Sequence, residues 1–157
     1  MKIVLLTVGK TSSKNCNAGI EMYLDRLKHY TSAEVVYLPD LKSTSSLSTE
    51  QQKQKEGQLI LNYFTQGDKV VLLDERGETL TSRKFADSIE RAVLAGVKRL
   101  VYVVGGAYGF SQDVYDRADA KLSLSAMTFP HDLVRLIFVE QLYRAMTILR
   151  GEKYHHD

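Results

Sequence analysis

The chain of 157 residues is long enough for one domain with a sizeable core, and its 44% hydrophobic and 25% charged residues are ordinary for a globular protein. A net charge of +2 permits a nucleic-acid partner but does not demand one. The single cysteine, Cys16, excludes an intrachain disulfide and a cysteine-based zinc site, and Ile3–Leu6 is too short for a signal peptide or a membrane span. We therefore expect one cytoplasmic domain, residues 1–157, without a membrane or metal partner.

Strand-like and helical stretches alternate along the chain, which predicts an α/β fold whose mostly parallel sheet is flanked by helices. The near-continuous apolar run in Lys69–Asp74 is typical of a strand covered on both faces. We predict strands at Lys2–Val8, Glu34–Leu38, Lys69–Asp74, Arg99–Val104 and around Leu122–Ala126. The predicted helices are Ala18–Tyr30, Thr49–Phe64, Ser82–Gly96, Ser111–Ala118 and His131–Arg150.

The unusual residues follow three predicted strands, after Asp74, after Val104 and after Leu124. Ligands of open α/β sheets bind outside the carboxyl ends of the strands, so these three ends can line one pocket. The cluster Gly105–Gly109 is neither a dinucleotide fingerprint nor a phosphate loop. Its adjacent glycines suit either the close approach of a flat ligand or a turn that needs positive φ.

The Ser/Thr-rich segment Leu41–Thr49 follows the second predicted strand. Its composition fits a solvated, mobile connector, and the alternative is a segment that becomes ordered on a partner.

The last predicted helix begins at Phe129-Pro130, where Pro130 suits the first helical position. Arg135 falls on its apolar face, one turn after His131. The predicted polar stripe lies opposite and consists of Glu140, Gln141, Arg144 and Thr147. A buried guanidinium needs a partner, either an internal carboxylate or a ligand or RNA phosphate arriving at a subunit boundary. The helix is apolar on more than one side, which predicts a homodimer.

The tail holds Tyr154 and His155, which can stack on a base and hydrogen-bond to it, although a frayed terminus is the alternative.

Several stretches together resemble a known family. They are KIVLLTVGK near the start, LLDERG at 72–77, VGGAYG at 104–109, LSLSAMTFPHDLVR at 122–135, EQLYRA at 140–145 and the terminal YH at 154–155. Their order and spacing resemble the RlmH family of small SPOUT-type methyltransferases over the whole chain. The tail departs from the pattern, since Glu152-Lys153 stand where relatives often carry His-Pro.

The resemblance implies a deep C-terminal trefoil knot and a homodimer that uses S-adenosylmethionine to methylate N3 of a pseudouridine in 23S ribosomal RNA. We expect the assembled ribosome as substrate, although the sequence also leaves free RNA and a single subunit open. The cofactor contacts that it implies are Leu73, Gly105, Leu124, Ser125, Ala126, Met127, Thr128 and Phe129. His131, Arg135, Tyr154 and His155 match family positions for dimerisation, RNA binding or the active site.

Methylation at N3 requires that the imide proton leave. His155 can act as the base, or a cation such as Arg135 can stabilise the imide anion, so His155, Arg135 and Tyr154 are the catalytic candidates. This chemistry needs no metal. Two other functions stay open, a SPOUT methyltransferase for another RNA and a non-catalytic RNA-binding or ribosome-assembly factor.

Overall fold

The computed structural model describes residues 1–156 and contains one five-stranded sheet flanked by helices. The strands are β1 (Lys2–Val8), β2 (Ser32–Leu38), β3 (Lys69–Thr79), β4 (Arg99–Val104) and β5 (Ala120–Ser123). The helices are α1 (Lys14–Leu27), α2 (Thr49–Tyr63), α3 (Ser82–Leu94), α4 (Gln112–Arg117) and α5 (His131–Leu149), with a 3₁₀ turn at Thr44–Ser46. The strand order is β2-β1-β4-β3-β5, and every neighbouring pair is parallel. Within this range, no helix has the length and apolar character to cross a lipid bilayer.

Two hydrophobic layers cover the two faces of the sheet, because alternate residues of each strand point in opposite directions. In β1, Ile3 and Leu5 face the layer formed with α1, α3 and α5, whereas Val4 and Leu6 face the layer formed with α2 and α4. The fully buried Phe138 of α5 lies in the first layer. Consequently, the chain changes faces between α4 and α5, by way of β5.

The first helix begins earlier than its apolar spacing predicts. It starts at Lys14 instead of Ala18, because Ser13 Oγ accepts a hydrogen bond from the backbone N–H of Cys16 (3.2 Å) and caps the helix. It also ends at Leu27, before the predicted end.

Two predictions about α5 are wrong in detail. Pro130 is the N-cap of the helix and not its first residue, and it has the extended backbone of a cap. Thr147 is fully buried instead of lying on a polar surface, and its hydroxyl donates to the carbonyl of Arg144 (2.6 Å). This hydrogen bond satisfies the hydroxyl within its own helix.

Strand β3 continues beyond the predicted end at Asp74. Leu73 and Glu78 both pair with Leu122 of β5, so residues 74–77 bulge out of the ladder before pairing resumes. Gly77 lies directly against β5. A Cβ atom there would be 2.6 Å from the backbone nitrogen of Leu122 and 2.7 Å from the carbonyl carbon of Lys121. The crossing of the two backbones therefore requires a residue without a side chain.

We expect Gly77→Ala to lower the free energy of unfolding by about 3 kcal/mol or more, because the clash is with backbone that cannot rotate away. Gly96→Ala is the matched control. This variant also replaces a glycine, whose φ is +78°, but an added Cβ at that position meets no atom within 4 Å. That control should cost only about 1–2 kcal/mol of left-handed strain. Urea titration of both variants measures the difference, and equal losses would contradict the proposed contact.

Candidate active site

Two adjoining clefts open at the bulge of β3, where its pairing with β4 ends, and at the carboxyl ends of β4 and β5. The larger has a volume of about 450 Å³ and the smaller about 170 Å³. Five residues line both, so the clefts form one continuous depression: Leu73, Asp74, Glu75, Phe129 and Val134. The prediction that three strand ends meet at one pocket is confirmed.

All eight residues implied as cofactor contacts line this depression. Leu73 and Phe129 border both clefts, Gly105 borders the larger one, and Leu124–Thr128 border the smaller one. A local turn shapes the last segment, since the Oγ atom of Ser125 accepts a hydrogen bond from the backbone N–H of Met127 (2.9 Å). The binding of a cofactor by these residues stays a prediction.

Protein atoms occupy the space beside both adjacent glycines. A Cβ on Gly105 would lie 3.1 Å from the ring of Phe110, and a Cβ on Gly106 would collide with the carboxylate of Glu56. The turn itself closes through a hydrogen bond from the N–H of Gly109 to the carbonyl of Gly106 (3.1 Å), with φ of Gly109 at +81°. Only Gly109 has positive φ, so the turn explanation does not apply to Gly105 and Gly106, which instead let the Phe110 ring and α2 approach the backbone.

A polar network around Asp74, which was not predicted from the sequence, fixes the rim of the larger cleft. The buried carboxylate of Asp74 accepts hydrogen bonds from the hydroxyl of Tyr115 and from the backbone N–H of Arg76 (2.8 Å). Burial and the hydrogen bond to Asp74 raise the pKa of Tyr115, and the neighbouring Arg76 guanidinium opposes that rise. Arg76 Nη2 donates to the same hydroxyl (3.0 Å) and its guanidinium lies 5.4 Å from the ring centroid. This arrangement holds an exposed cation at the mouth of the larger cleft.

Arg135 is buried, only 4% exposed, and does not line either cleft. Its Nη1 donates to Thr11 Oγ1 and its Nη2 to the carbonyl of Val8, both at 3.1 Å, while Asp132 Oδ1 is 3.9 Å from Nη1. Burial lowers the pKa of Arg135 and the charge of Asp132 opposes the change, although arginine remains protonated in either case. The sequence predicted either an internal carboxylate or an external ligand as the partner of Arg135. The partners are internal, but the closest atoms belong to the Thr11 hydroxyl and the Val8 carbonyl, and not to the Asp132 carboxylate.

Among the four family positions, His131 alone borders the larger cleft, at the start of α5. Tyr154 and His155 lie further along α5 instead. The Tyr154 hydroxyl donates to Glu140 (3.0 Å), its ring packs edge-on against Tyr143 with centroids 4.8 Å apart, and the Arg144 guanidinium lies 4.8 Å from the ring. The tail is therefore folded against the chain rather than frayed.

Burial raises the pKa of Tyr154, and hydrogen bonds with Tyr23 and Glu140 raise it further. The phenol is consequently protonated at neutral pH. His155 Nδ1 is 3.2 Å from Arg144 Nη1. Because a guanidinium only donates, Nδ1 must accept, which places the proton of a neutral ring on Nε2.

Helix α2 contributes one rim residue and one buried residue near the larger cleft that sequence reasoning missed. Lys53 borders the larger cleft, and the buried Glu56 lies beneath the glycine turn. They are three residues apart and hence on one helical face, which is the only local signal that could have indicated them.

Comparison with known proteins gives concordant matches. The sequence model of a family described as "Predicted SPOUT methyltransferase" matches residues 1–155. The chain is 53% identical over 156 residues to "Ribosomal RNA large subunit methyltransferase H" of Christiangramia forsetii, covering 99% of each protein. It is 53% identical over 157 residues to the protein of that name from Phocaeicola vulgatus, covering 100% of each.

Two solved structures resemble the fold. A "probable methylase family protein" from Haemophilus influenzae superposes with a TM-score of 0.52 at 12% identity, over 95% of this chain and 66% of that one. The A. aeolicus "TrmH/SpoU tRNA modifying enzyme" also gives 0.52, at 11% identity, over 96% of this chain and 77% of that one. At such identities the likeness concerns the fold alone. The prediction of a parallel α/β sheet with a C-terminal knot is confirmed.

Proposed function

Because the chain belongs to the RlmH family of SPOUT methyltransferases, we propose that it transfers a methyl group from S-adenosylmethionine to N3 of a pseudouridine in large-subunit (23S) ribosomal RNA. The observation that carries the proposal is the depression where Leu73, Gly105 and Leu124–Phe129 meet. The printed names of the relatives support large-subunit ribosomal RNA as the substrate. The cofactor, the base and the position of methylation rest on the family resemblance.

The depression has the properties that such a cofactor requires. Its larger part, about 450 Å³, lies within the usual range for small-molecule sites. Leu73, Phe129 and Val134 offer apolar surface for a flat base, and the backbone beyond the strand ends offers hydrogen bonds. The carboxylate of Glu75 borders both clefts and would accept hydrogen bonds from ribose hydroxyls or an ammonium group.

When bound, S-adenosylmethionine supplies an electrophilic methyl group on a sulfonium. The work of the protein is to place the pseudouridine N3 in line with that methyl group, and such positioning accounts for several kcal/mol of barrier lowering, roughly. As the N3–carbon bond forms and the carbon–sulfur bond breaks, the imide proton must leave N3. A group that accepts this proton or stabilises the anion is therefore needed.

Tyr154 and His155 border neither cleft of their own chain. Val134 is the last residue of α5 that borders the depression, and Glu140, which holds Tyr154, follows about 9 Å further along the helix axis. In the proposal a second copy of the chain supplies the tail, so that the working unit is a homodimer. The partly exposed Leu133 and Ile137 of α5 offer apolar surface for that second copy.

The contacts of the tail favour stabilisation of the anion. In the proposal, the Nε2–H of His155 donates to a carbonyl oxygen beside N3 when the RNA is bound, while Nδ1 accepts from Arg144. Arg144 adds a positive charge next to His155. We had predicted from the sequence that Arg135 would supply this charge, but Arg135 is buried. The N3 proton then passes either to solvent or to His155 Nδ1, after the contact with Arg144 breaks. The protonated Tyr154 is suited to orient these groups and to stack on the base.

The direct test is the transfer of radiolabelled methyl groups to ribosomes, isolated large subunits and free ribosomal RNA from cells that lack this protein. We expect whole ribosomes to be methylated and mass spectrometry to locate the methyl group on N3 of a pseudouridine. Methylation of another RNA would favour the alternative substrate. Binding to ribosomal RNA with no transfer at all would favour a non-catalytic assembly factor.

We expect Gly105→Val to abolish binding of S-adenosylmethionine while the protein remains folded. The reason is steric, since a Cβ would already be 3.1 Å from the Phe110 ring, and the two further methyl groups of valine must displace either that ring or the ligand. Isothermal titration calorimetry measures the affinity, with circular dichroism as the check on folding. Unchanged affinity in a folded variant would remove Gly105 from the cofactor site.

Deletion of residues 154–157, of which Asp157 lies outside the described residues, should leave the cofactor affinity and the dimer mass unchanged. Methyl transfer should fall by at least ~10²-fold, the scale for losing a positioned proton-transfer group or a stacking platform. Full activity in the truncated protein would show that the tail has no part in the site.

Co-expression of the truncated chain with the Gly105→Val chain tells whether the tail acts on the other subunit. A mixed dimer holds one intact cleft and one intact tail, on different chains. If the tail acts across the dimer, random pairing should restore about a quarter of wild-type activity. If it acts within one chain, the mixture stays inactive.

A further inference from the structure

Tyr108 differs from the other tyrosines of the chain. It is 51% exposed, and within residues 1–156 its ring has no aromatic or cationic neighbour. Each of the other eight lies near another ring or a guanidinium: Tyr23, Tyr30, Tyr37, Tyr63, Tyr102, Tyr115, Tyr143 and Tyr154. Tyr108 borders the larger cleft, so its exposed ring stands at the mouth of the proposed active site.

The turn that carries Tyr108 is well anchored. The N–H of Gly109 closes the turn on the carbonyl of Gly106 (3.1 Å), and Gly106 lies against the buried Glu56. The next residue, Phe110, is buried and packs edge-on against Tyr115 with ring centroids 5.7 Å apart. The ring of Tyr108 is thus held outward by fixed backbone at the tip of the turn.

A single exposed aromatic ring is common on protein surfaces, so exposure alone indicates nothing. The residues around Tyr108 indicate what its exposed ring can bind. Met127, 76% exposed, borders the adjoining smaller cleft on a second loop. Lys53 and the exposed Arg76 border the same cleft as Tyr108. An exposed aromatic ring and two cations that border one cleft match the chemistry of a nucleotide, in which a base stacks and a phosphate pairs with lysine or arginine.

We propose that an unpaired base of the RNA substrate stacks on Tyr108 at the mouth of the cleft, with its phosphates facing Lys53 and Arg76. This inference rests on the proposed function and adds a contact with the RNA that the proposed function does not include. The stacked base is held by its face, so the contact positions the RNA without reading its sequence. The adenine of the cofactor is the competing occupant, but a ring half exposed at the mouth is better placed for a ligand that arrives from outside.

The test compares Tyr108→Ala, Tyr108→Phe and the control Leu94→Ala. Leu94 is a 79% exposed apolar residue on α3 that borders neither cleft. Loss of one base–aromatic stack corresponds to roughly 5- to 150-fold in binding, so Tyr108→Ala should raise the KM for unmodified ribosomes at least ~5-fold. Tyr108→Phe keeps the ring and should stay near wild type, as should Leu94→Ala. The calorimetric affinity for S-adenosylmethionine should not change in any of the three.

Three results would overturn the inference. They are an unchanged KM in Tyr108→Ala, a loss of cofactor affinity as large as the loss for ribosomes, and a loss in Tyr108→Phe equal to that in Tyr108→Ala. In each case an active wild-type protein leaves the proposed function standing. If the wild-type protein transfers no methyl group, the proposed function fails on its own. Fluorescence anisotropy with a labelled single-stranded oligoribonucleotide then decides about stacking, because Tyr108→Ala must still bind it at least ~5-fold more weakly than wild type.

Discussion

The parallel pairing of β5 with β3 is the constraint on which the rest of the site depends. It brings the backbone of Leu122 against Gly77, where no side chain would fit. With β5 held at this edge, Leu124–Phe129 leaves the strand beside the end of β3 and passes toward the end of β4 before α5 begins. The depression therefore gains a third wall only because this short, four-residue strand is fixed in place.

Helix α5 connects the parts of the protein that the proposed reaction needs. His131 stands at the cleft, Asp132 and Arg135 hold the loop after β1, Phe138 fills the core, and Glu140 holds the tail. A helix of 19 residues is about 28 Å long, so its two ends serve places that cannot touch within one chain. In a two-fold dimer, however, the end of one helix can reach the beginning of the other.

Much of the fold could be read from the sequence, because buried parallel strands appear as apolar runs and each run ends at a residue that breaks the pattern. The meeting of three strand ends followed from that pattern. The extension of β3 through Thr79 could not be predicted, since its polar residues pair with a strand far along the chain. Helical periodicity likewise predicted that Arg135 is buried, but its partners, Val8 and Thr11, lie over 120 residues away and leave no local signal.

The same long-range pairing determines when the site can exist. The backbone N–H of Val70 donates to the carboxylate of Asp119, 49 residues later, and the walls of the depression are complete only once Val134 has docked. Contacts of such separation form slowly, because the intervening chain must be ordered first. A nascent chain that has emerged only as far as β4 has four of the five strands but not the complete depression. The depression proposed to bind the cofactor is therefore complete only late, after almost the entire chain has been synthesised and folded.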